Sequence, residues 1–344
     1  MYNAFLLRTQ AAVHALVRHI QTSDRYRAAV FDNDLTCLAE RACFDSAICS
    51  LEAVPDRIEW RIIDHCAAVT RIYALYEQFV HEMIREHISL LQGRLAFREL
   101  PAVIANSYRL GLAKILEKKD GPRFNDLHLG QLISEYNNAL NDQIYKIEPR
   151  ALLMQEQNLR LAELNRVLNA CGIENVSRWI DNHKSIKEFF DAGERLTASA
   201  PNEMTALIGY RNDAAHGSID ISDVLHPNVL IEFCEFISAI CEAISEKVQL
   251  AGLRALELHN HVNNHGKITE LLRKGSVSIV PAVGVLKVGD TVYLCGEDYC
   301  LERRINSIQV NNIDKLEVSA SVETEVGIMF DGLGRKNASI LTMR

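Results

Sequence analysis

The 344-residue sequence predicts a multi-domain chain, α then β: an all-α helical bundle over residues 1–258, a polar linker at 259–274 and a small β-barrel over 275–344. Two periodicities carry that reading. From Val69 to Leu91 the apolar positions Val69, Ile72, Tyr73, Tyr76, Phe79, Val80, Met83, Ile84, Ile88 and Leu91 recur at three and four residues, the stripe of one amphipathic helix. After the polar stretch HNHVNNHG the period shortens to two, at Val277/Ile279, Val283/Val285, Val292/Leu294 and Ile308/Val310, the alternation of short strands.

The helical spacing returns at Leu230, Phe233, Cys234, Ile237, Cys241, Ile244 and Val248, and less regularly between Leu152 and Leu168. Pro55, Pro101, Pro122 and Pro149 stand where helices begin or break. Gly284, Gly289 with Asp290, and Gly296 separate the strand pairs, and short strands so spaced suit a barrel, which leaves no edge unpaired.

Composition bounds the function. With 48% apolar and 24% charged residues the chain folds rather than remaining disordered. Its 37 basic against 45 acidic residues give a formal charge of −8, which opposes coating of nucleic acid by bulk electrostatics, so any RNA contact is local. From Lys267 onward 10 basic residues balance 10 acidic ones, and the negative excess belongs to the helical part. The nine cysteines are odd in number, and neither Cys37/Cys43/Cys49 nor Cys295/Cys300 has paired CxxC spacing; they read as reduced thiols. No apolar run reaches the length of a membrane span, and the opening MYNAFLLRTQ is broken by Arg8, so the expectation is a cytoplasmic protein without a membrane partner. The sequence holds no GxxxxGK[ST], GxGxxG after a strand, GxSxG or HExxH, and no metal or other cofactor is expected.

Chemistry concentrates in ALIGYRNDAAHG, which carries Arg211, Asn212 and His216, with Gly217 placed to cap a helix. Spacing alone says little, because Arg123/His128, Arg178/His183 and Arg254/His259 repeat it. Context separates the one from the three: Asn212 follows the arginine, the small Ala214 and Ala215 precede the histidine, and a glycine closes the turn.

This segment resembles the active-site motif of the HEPN superfamily (higher eukaryotes and prokaryotes nucleotide-binding): Arg, a polar residue, small or apolar residues, then His. The order of a long helix with ALYEQFVHEMI, a connector, a weaker helix ending near NACGI and the motif helix is similar to the larger prokaryotic HEPN toxins, over a core of residues 60–255. The resemblance implies a metal-independent endoribonuclease acting on RNA as a toxin or antiphage effector, with room for an antitoxin or regulatory partner. In such chemistry the substrate 2′-hydroxyl attacks its own phosphate, which calls for a group titrating near neutrality and a fixed cation; His216 and Arg211 are of those types. Asn212 stands one helical turn before His216, where its amide can orient the imidazole, and the guanidinium can fork onto phosphate oxygens. One motif supplies one imidazole whereas acid and base roles want two. The family pairs two subunits around one cleft, so a homodimer or higher homo-oligomer is expected. The bland alternative is an Arg–Asn pair that merely hydrogen-bonds a helix end.

Glu77, in one row with Tyr73 and His81 at the margin of the long stripe, is either an acid orienting His216 or a substrate sugar, or part of a solvated face. His259, His261 and His265 invite a metal, but a polar linker explains them more simply. The stretch AVGVLKVGDTVYL, with ETEVGIMFDGLGRKNASILTMR, resembles domain 2 of the translational GTPases, with Lys287, Gly289 and Asp290 at a tight turn and Gly327 and Gly332 at bends or close approaches. That resemblance implies contact with tRNA or the ribosome, without the GTPase domain that precedes it in those factors. Arg303 and Arg304 are the best basic pair there, for RNA or for a solvated strand face. The rival to a nuclease is a non-catalytic helical association module whose barrel binds tRNA, the ribosome or a translation factor.

Overall fold

The structure, a computed structural model, describes residues 2–32, 55–154, 157–193, 195–217 and 219–344. Cys37, Cys43 and Cys49 lie outside the described residues; Cys66, Cys171, Cys234, Cys241, Cys295 and Cys300 are free thiols. The helices are α1 (Asn3–Asp32), α2 (Arg57–Gln92), α3 (Ala102–Glu117), α4 (Leu129–Leu140), α5 (Pro149–Leu152), α6 (Leu161–Ala170), α7 (Val176–Asn182), α8 (Lys184–Asp191), α9 (Ala200–His216) and α10 (Pro227–Glu257). Strands β1 (Val262–Lys267), β2 (Glu270–Leu272), β3 (Val277–Lys287), β4 (Thr291–Cys295), β5 (Cys300–Val310), β6 (Ile313–Lys315), β7 (Glu317–Phe330) and β8 (Ser339–Met343) follow. Among the described residues no helix is long and apolar enough to cross a membrane.

The two firm stripes are helices. All ten apolar positions from Val69 to Leu91 are buried on α2, and the seven from Leu230 to Val248 are buried on α10. Pro101 caps α3 and Pro149 opens α5, where a missing N–H is harmless. The weaker stripe is not one helix: α5 ends at Leu152 and α6 begins only at Leu161.

Contacts group the chain into two compact units, one of Ala4–Val80 and Ser185–Cys241, the other of Met1–Asn3, His81–Lys184 and Glu242–Arg344. In the first unit α1 is tied to α2 by Arg27, whose Nη1 donates to Asp64 Oδ2 at 2.7 Å, and by Ser23, which donates to the same oxygen at 2.6 Å. Helix α8 joins α10 through Phe189 against Phe236, with ring centroids 5.5 Å apart, and Ser185, whose hydroxyl donates to the Ala239 carbonyl. Tyr210 of α9 lies 6.2 Å from the Phe233 ring of α10.

In the second unit α3 and α5 touch at Gly111, where an added Cβ would stand 1.8 Å from the Ala151 carbonyl oxygen; only glycine permits that approach. Trp179 of α7 donates its indole N–H to the Ala243 carbonyl at 2.8 Å. The strands form one antiparallel sheet in the order β1-β8-β4-β5-β7-β3-β2, with β6 on β5, curled into a half-barrel around Val280, Leu286, Val292, Leu294, Ile305, Val326, Ile328 and Ile340. The half-barrel is seated on α10: the Cys300 N–H donates to Glu246 Oε2 at 2.7 Å and Gln249 Nε2 donates to the Cys300 carbonyl at 2.9 Å.

Two expectations are corrected. The stretch 259–274, read as a linker, holds β1 and β2, and β1 pairs with β8 from Val262↔Met343 to Lys267↔Ser339. A bulge between Asn264 and Lys267 breaks the alternation, so only Val262 and His265 turn inward and the strand reads as polar. Val277/Ile279 and Val283/Val285 are also not two strands but the continuous β3, paired with β7 and bulged at Gly284, whose φ is +89°.

Candidate active site on the motif helix

Helix α9 is defined at both ends. Ser199 is extended at the N-cap, a proline occupies the first turn beside Glu203, and Gly217 ends the helix in the left-handed conformation, φ +71°. Met204, Leu207 and Ile208 are fully buried and anchor its middle. The last turn leaves the core: Arg211 and Asn212 are half-buried, and Asp213, Ala215 and His216 are exposed.

Arg211 is held in a defined place. Its guanidinium carbon lies 5.1 Å from the centroid of the Tyr73 ring, and its Nη1 donates to Asn212 Oδ1 at 3.2 Å. The Tyr73 hydroxyl donates to Glu77 Oε1 at 3.3 Å. A cation thus rests on a π face whose hydroxyl is directed at a carboxylate. Tyr73 itself is 2% exposed and packs edge-on against Tyr76, at 6.2 Å.

Of the predicted residues, Arg211, Asn212 and Glu77 belong to this one chain of contacts through Tyr73. His216 stands on the same helix one turn beyond Asn212, at the accessible helix end. The Asn212 amide oxygen accepts from the Arg211 guanidinium. Sequence reasoning placed Tyr73 in the apolar stripe and missed it as the platform; an aromatic on that stripe looks the same whether its face is covered by aliphatic or cationic neighbours.

The other Arg–His pairs serve local structure. Arg123 donates to the Leu153 carbonyl, His183 is 2% exposed beside Glu246 at 3.5 Å, and Arg254 pairs with Glu257. In the half-barrel Arg303 lies over Gly332 and donates to the Glu302 carbonyl, while Arg304 Nε donates to the Gly289 carbonyl at 3.2 Å. Lys287, Gly289 and Asp290 form the expected turn, with the Lys287 N–H donating to Asp290 Oδ2 at 3.0 Å and Gly289 at φ +94°. Gly332 is the close approach that was expected, whereas Gly327 runs within β7 opposite Ile279 and Gln309. His265 is a core residue of β1: Nδ1 bonds the Val283 carbonyl and Nε2 the Thr342 hydroxyl, each at 2.7 Å.

The helical bundle, with the motif Arg-Asn-x3-His at the accessible end of α9, is compatible with the HEPN superfamily. The family described as RiboL-PSP-HEPN matches residues 47–249, and the chain belongs to that family. Searches of curated proteins and of solved structures find no match.

Proposed function

We propose that this protein is a metal-independent endoribonuclease in which Arg211, Asn212 and His216 act on RNA. The observation that carries the reading is the accessible end of α9, with His216 exposed and Arg211 braced on Tyr73 next to Asn212. In the proposed step an imidazole accepts the 2′-hydroxyl proton as the 2′-oxygen bonds to phosphorus. The bond to the 5′-oxygen breaks, and that oxygen takes a proton from a second imidazole. The products are a 2′,3′-cyclic phosphate and a 5′-hydroxyl. The Arg211 guanidinium offsets charge on the phosphorane. Glu77 is a positioning residue acting through the Tyr73 hydroxyl. Since each chain brings one His216, the proposal requires a homodimer with both motifs at one cleft.

The physiological reading is a cytoplasmic toxin or antiphage effector that stops translation, held in check by an antitoxin or other partner. The half-barrel, similar in its turns to domain 2 of translational GTPases, would contact tRNA or the ribosome, with Arg303 and Arg304 as its basic pair.

The test is incubation of the full chain with total RNA in EDTA, with fragment ends mapped. Cuts ending in cyclic phosphate, lost in His216→Ala and Arg211→Ala at unchanged melting temperature, are expected. Undiminished cutting by His216→Ala would overturn the assignment. A second reading, a non-catalytic association module, draws on the seating of the half-barrel on α10 by Glu246 and Gln249, which makes it part of a helical body. Absence of any cut, with RNA or ribosome binding retained, would select that reading.

A further inference from the structure

We infer that the narrow cleft between α1 and α2 in the unit carrying the motif is a binding site for a phosphate-type anion, built on His65 Nε2 and the Arg61 guanidinium. The cleft is lined by His19, Ser23, Arg27, Arg61, Asp64 and His65, with Val224 to Leu230 closing one side.

His65 is the informative group. It is 1% exposed, and its Nδ1 accepts the Leu225 N–H at 3.3 Å. Burial lowers its pKa, so the ring is neutral at physiological pH and carries one proton. With the Nδ1 lone pair engaged by an N–H, that proton belongs on Nε2. Among the described residues Nε2 is buried and without a hydrogen-bond partner. A dry N–H donor without an acceptor costs about 1–3 kcal/mol, and an oxygen entering the cleft offsets that cost.

The charges decide the sign of the guest. Arg27 is committed to Asp24 and Asp64, and Asp64 Oδ2 is already taken by Arg27 and Ser23, so that wall is internally neutralised. Arg61, half-buried at the cleft, makes no hydrogen bond or ion pair with the protein among the described residues. An N–H donor and an unpaired guanidinium select an anionic oxygen acceptor over a cation. The cleft volume of about 20 Å³ suits a single oxygen at depth, with the remainder of the group at the mouth.

The site adjoins the motif helix. The His65 ring meets Tyr210 edge-on at 5.8 Å, Tyr210 immediately precedes Arg211, and Leu225 lies in the segment that follows His216. An RNA phosphate flanking the scissile one and a free phosphate share this chemistry. The RNA arm rests on the nuclease reading; binding of inorganic phosphate does not.

The probe is inorganic phosphate, read by thermal unfolding of the full chain at fixed ionic strength against chloride. Phosphate also stabilises proteins nonspecifically, so the quantity read is the shift of the wild type minus that of Arg61→Gln. His65→Asn is the second variant: its carboxamide oxygen can still accept the Leu225 N–H, but nothing replaces Nε2. A phosphate-dependent rise in the wild type that both variants lack is expected. Equal shifts in the wild type and Arg61→Gln would overturn the site, as would full binding by a folded His65→Asn. Loss of the extra shift on adding a 2′-deoxy oligonucleotide, which cannot be cut, identifies backbone phosphate as the guest; its persistence identifies free phosphate. In cleavage assays Arg61→Gln should raise KM about tenfold with kcat unchanged, and flatten the dependence of log KM on log salt by about 0.7, the loss of one single-strand phosphate contact.

Discussion

The Tyr73 ring carries the Arg211 guanidinium on its face, 5.1 Å from centroid to carbon, while its hydroxyl reaches Glu77 at 3.3 Å. A buried helix thereby fixes where a long, flexible cation at the end of another helix can point. Cation–π contacts stabilise by roughly 0.5–2 kcal/mol. Replacing Tyr73 by Leu should therefore lower kcat/KM for RNA cleavage about 3- to 30-fold. Tyr73→Phe keeps the ring and should stay within about threefold of wild type. Equal losses in the two variants would assign the role to the hydroxyl and Glu77 instead.

Glu203, near the start of α9, is fully buried, with the Thr197 hydroxyl donating to its Oε2 at 2.7 Å and its Oε1 unpartnered among the described residues. Burial is the main cause of its raised pKa. The folded state therefore binds the proton more tightly than the unfolded chain does. This contribution to stability is fully present below the ordinary carboxyl range and lost as pH rises through the raised folded value. Glu203→Gln, which cannot ionise, should be more stable than wild type at pH 8 by about 1 kcal/mol, and the difference should shrink towards pH 4. Melting curves across that range check the sign.

Gly284 bulges β3 at φ +89°, and a Cβ there would lie 3.2 Å from the His265 ring. Gly284→Val should destabilise by about 2–4 kcal/mol through backbone strain and collision with a ring bonded at both nitrogens. Urea unfolding provides the measurement, and a change within 0.5 kcal/mol, the usual range for surface sites, would contradict the strain.

Gln249 is buried on α10 and donates to the Cys300 carbonyl. Gln249→Ala leaves that carbonyl without this donor and should cost about 1–3 kcal/mol. Hydrogen exchange at the β4–β5 hairpin should rise in parallel; unaltered protection there would mean that the helix does not secure the strands.

Much of the fold was legible because long, regular stripes leave one solution. The positions on α2 from Val69 to Leu91 and on α10 from Leu230 to Val248 lie inward as their spacing requires, and Gly217 ends α9 as the only residue there without a Cβ. The failures have local causes. In β1 a bulge puts Asn263, Asn264 and Gly266 beside only two inward residues, so a strand looked like a linker. In β3 Gly284 looked like a break between strands, whereas a glycine with positive φ lets one strand bulge and continue. At the candidate site the sequence offered the reactive types, Arg211, Asn212 and His216, but not their support. Tyr73 and His65 act through distances across the chain that no local pattern encodes.

Five residues of α-helix turn the chain by about 500°, so Arg211 and His216 leave the α9 axis in directions roughly 140° apart. One copy of the helix cannot readily wrap both around a single linkage, but two copies related by a twofold axis can exchange them. Because the proposed step uses both imidazoles of the pair, the two lesions are not expected to complement: co-expressed Arg211→Ala and His216→Ala chains form mixed pairs with one imidazole and should not restore the RNA cleavage that neither has alone. An excess of His216→Ala chains over wild type should in turn act as a dominant poison.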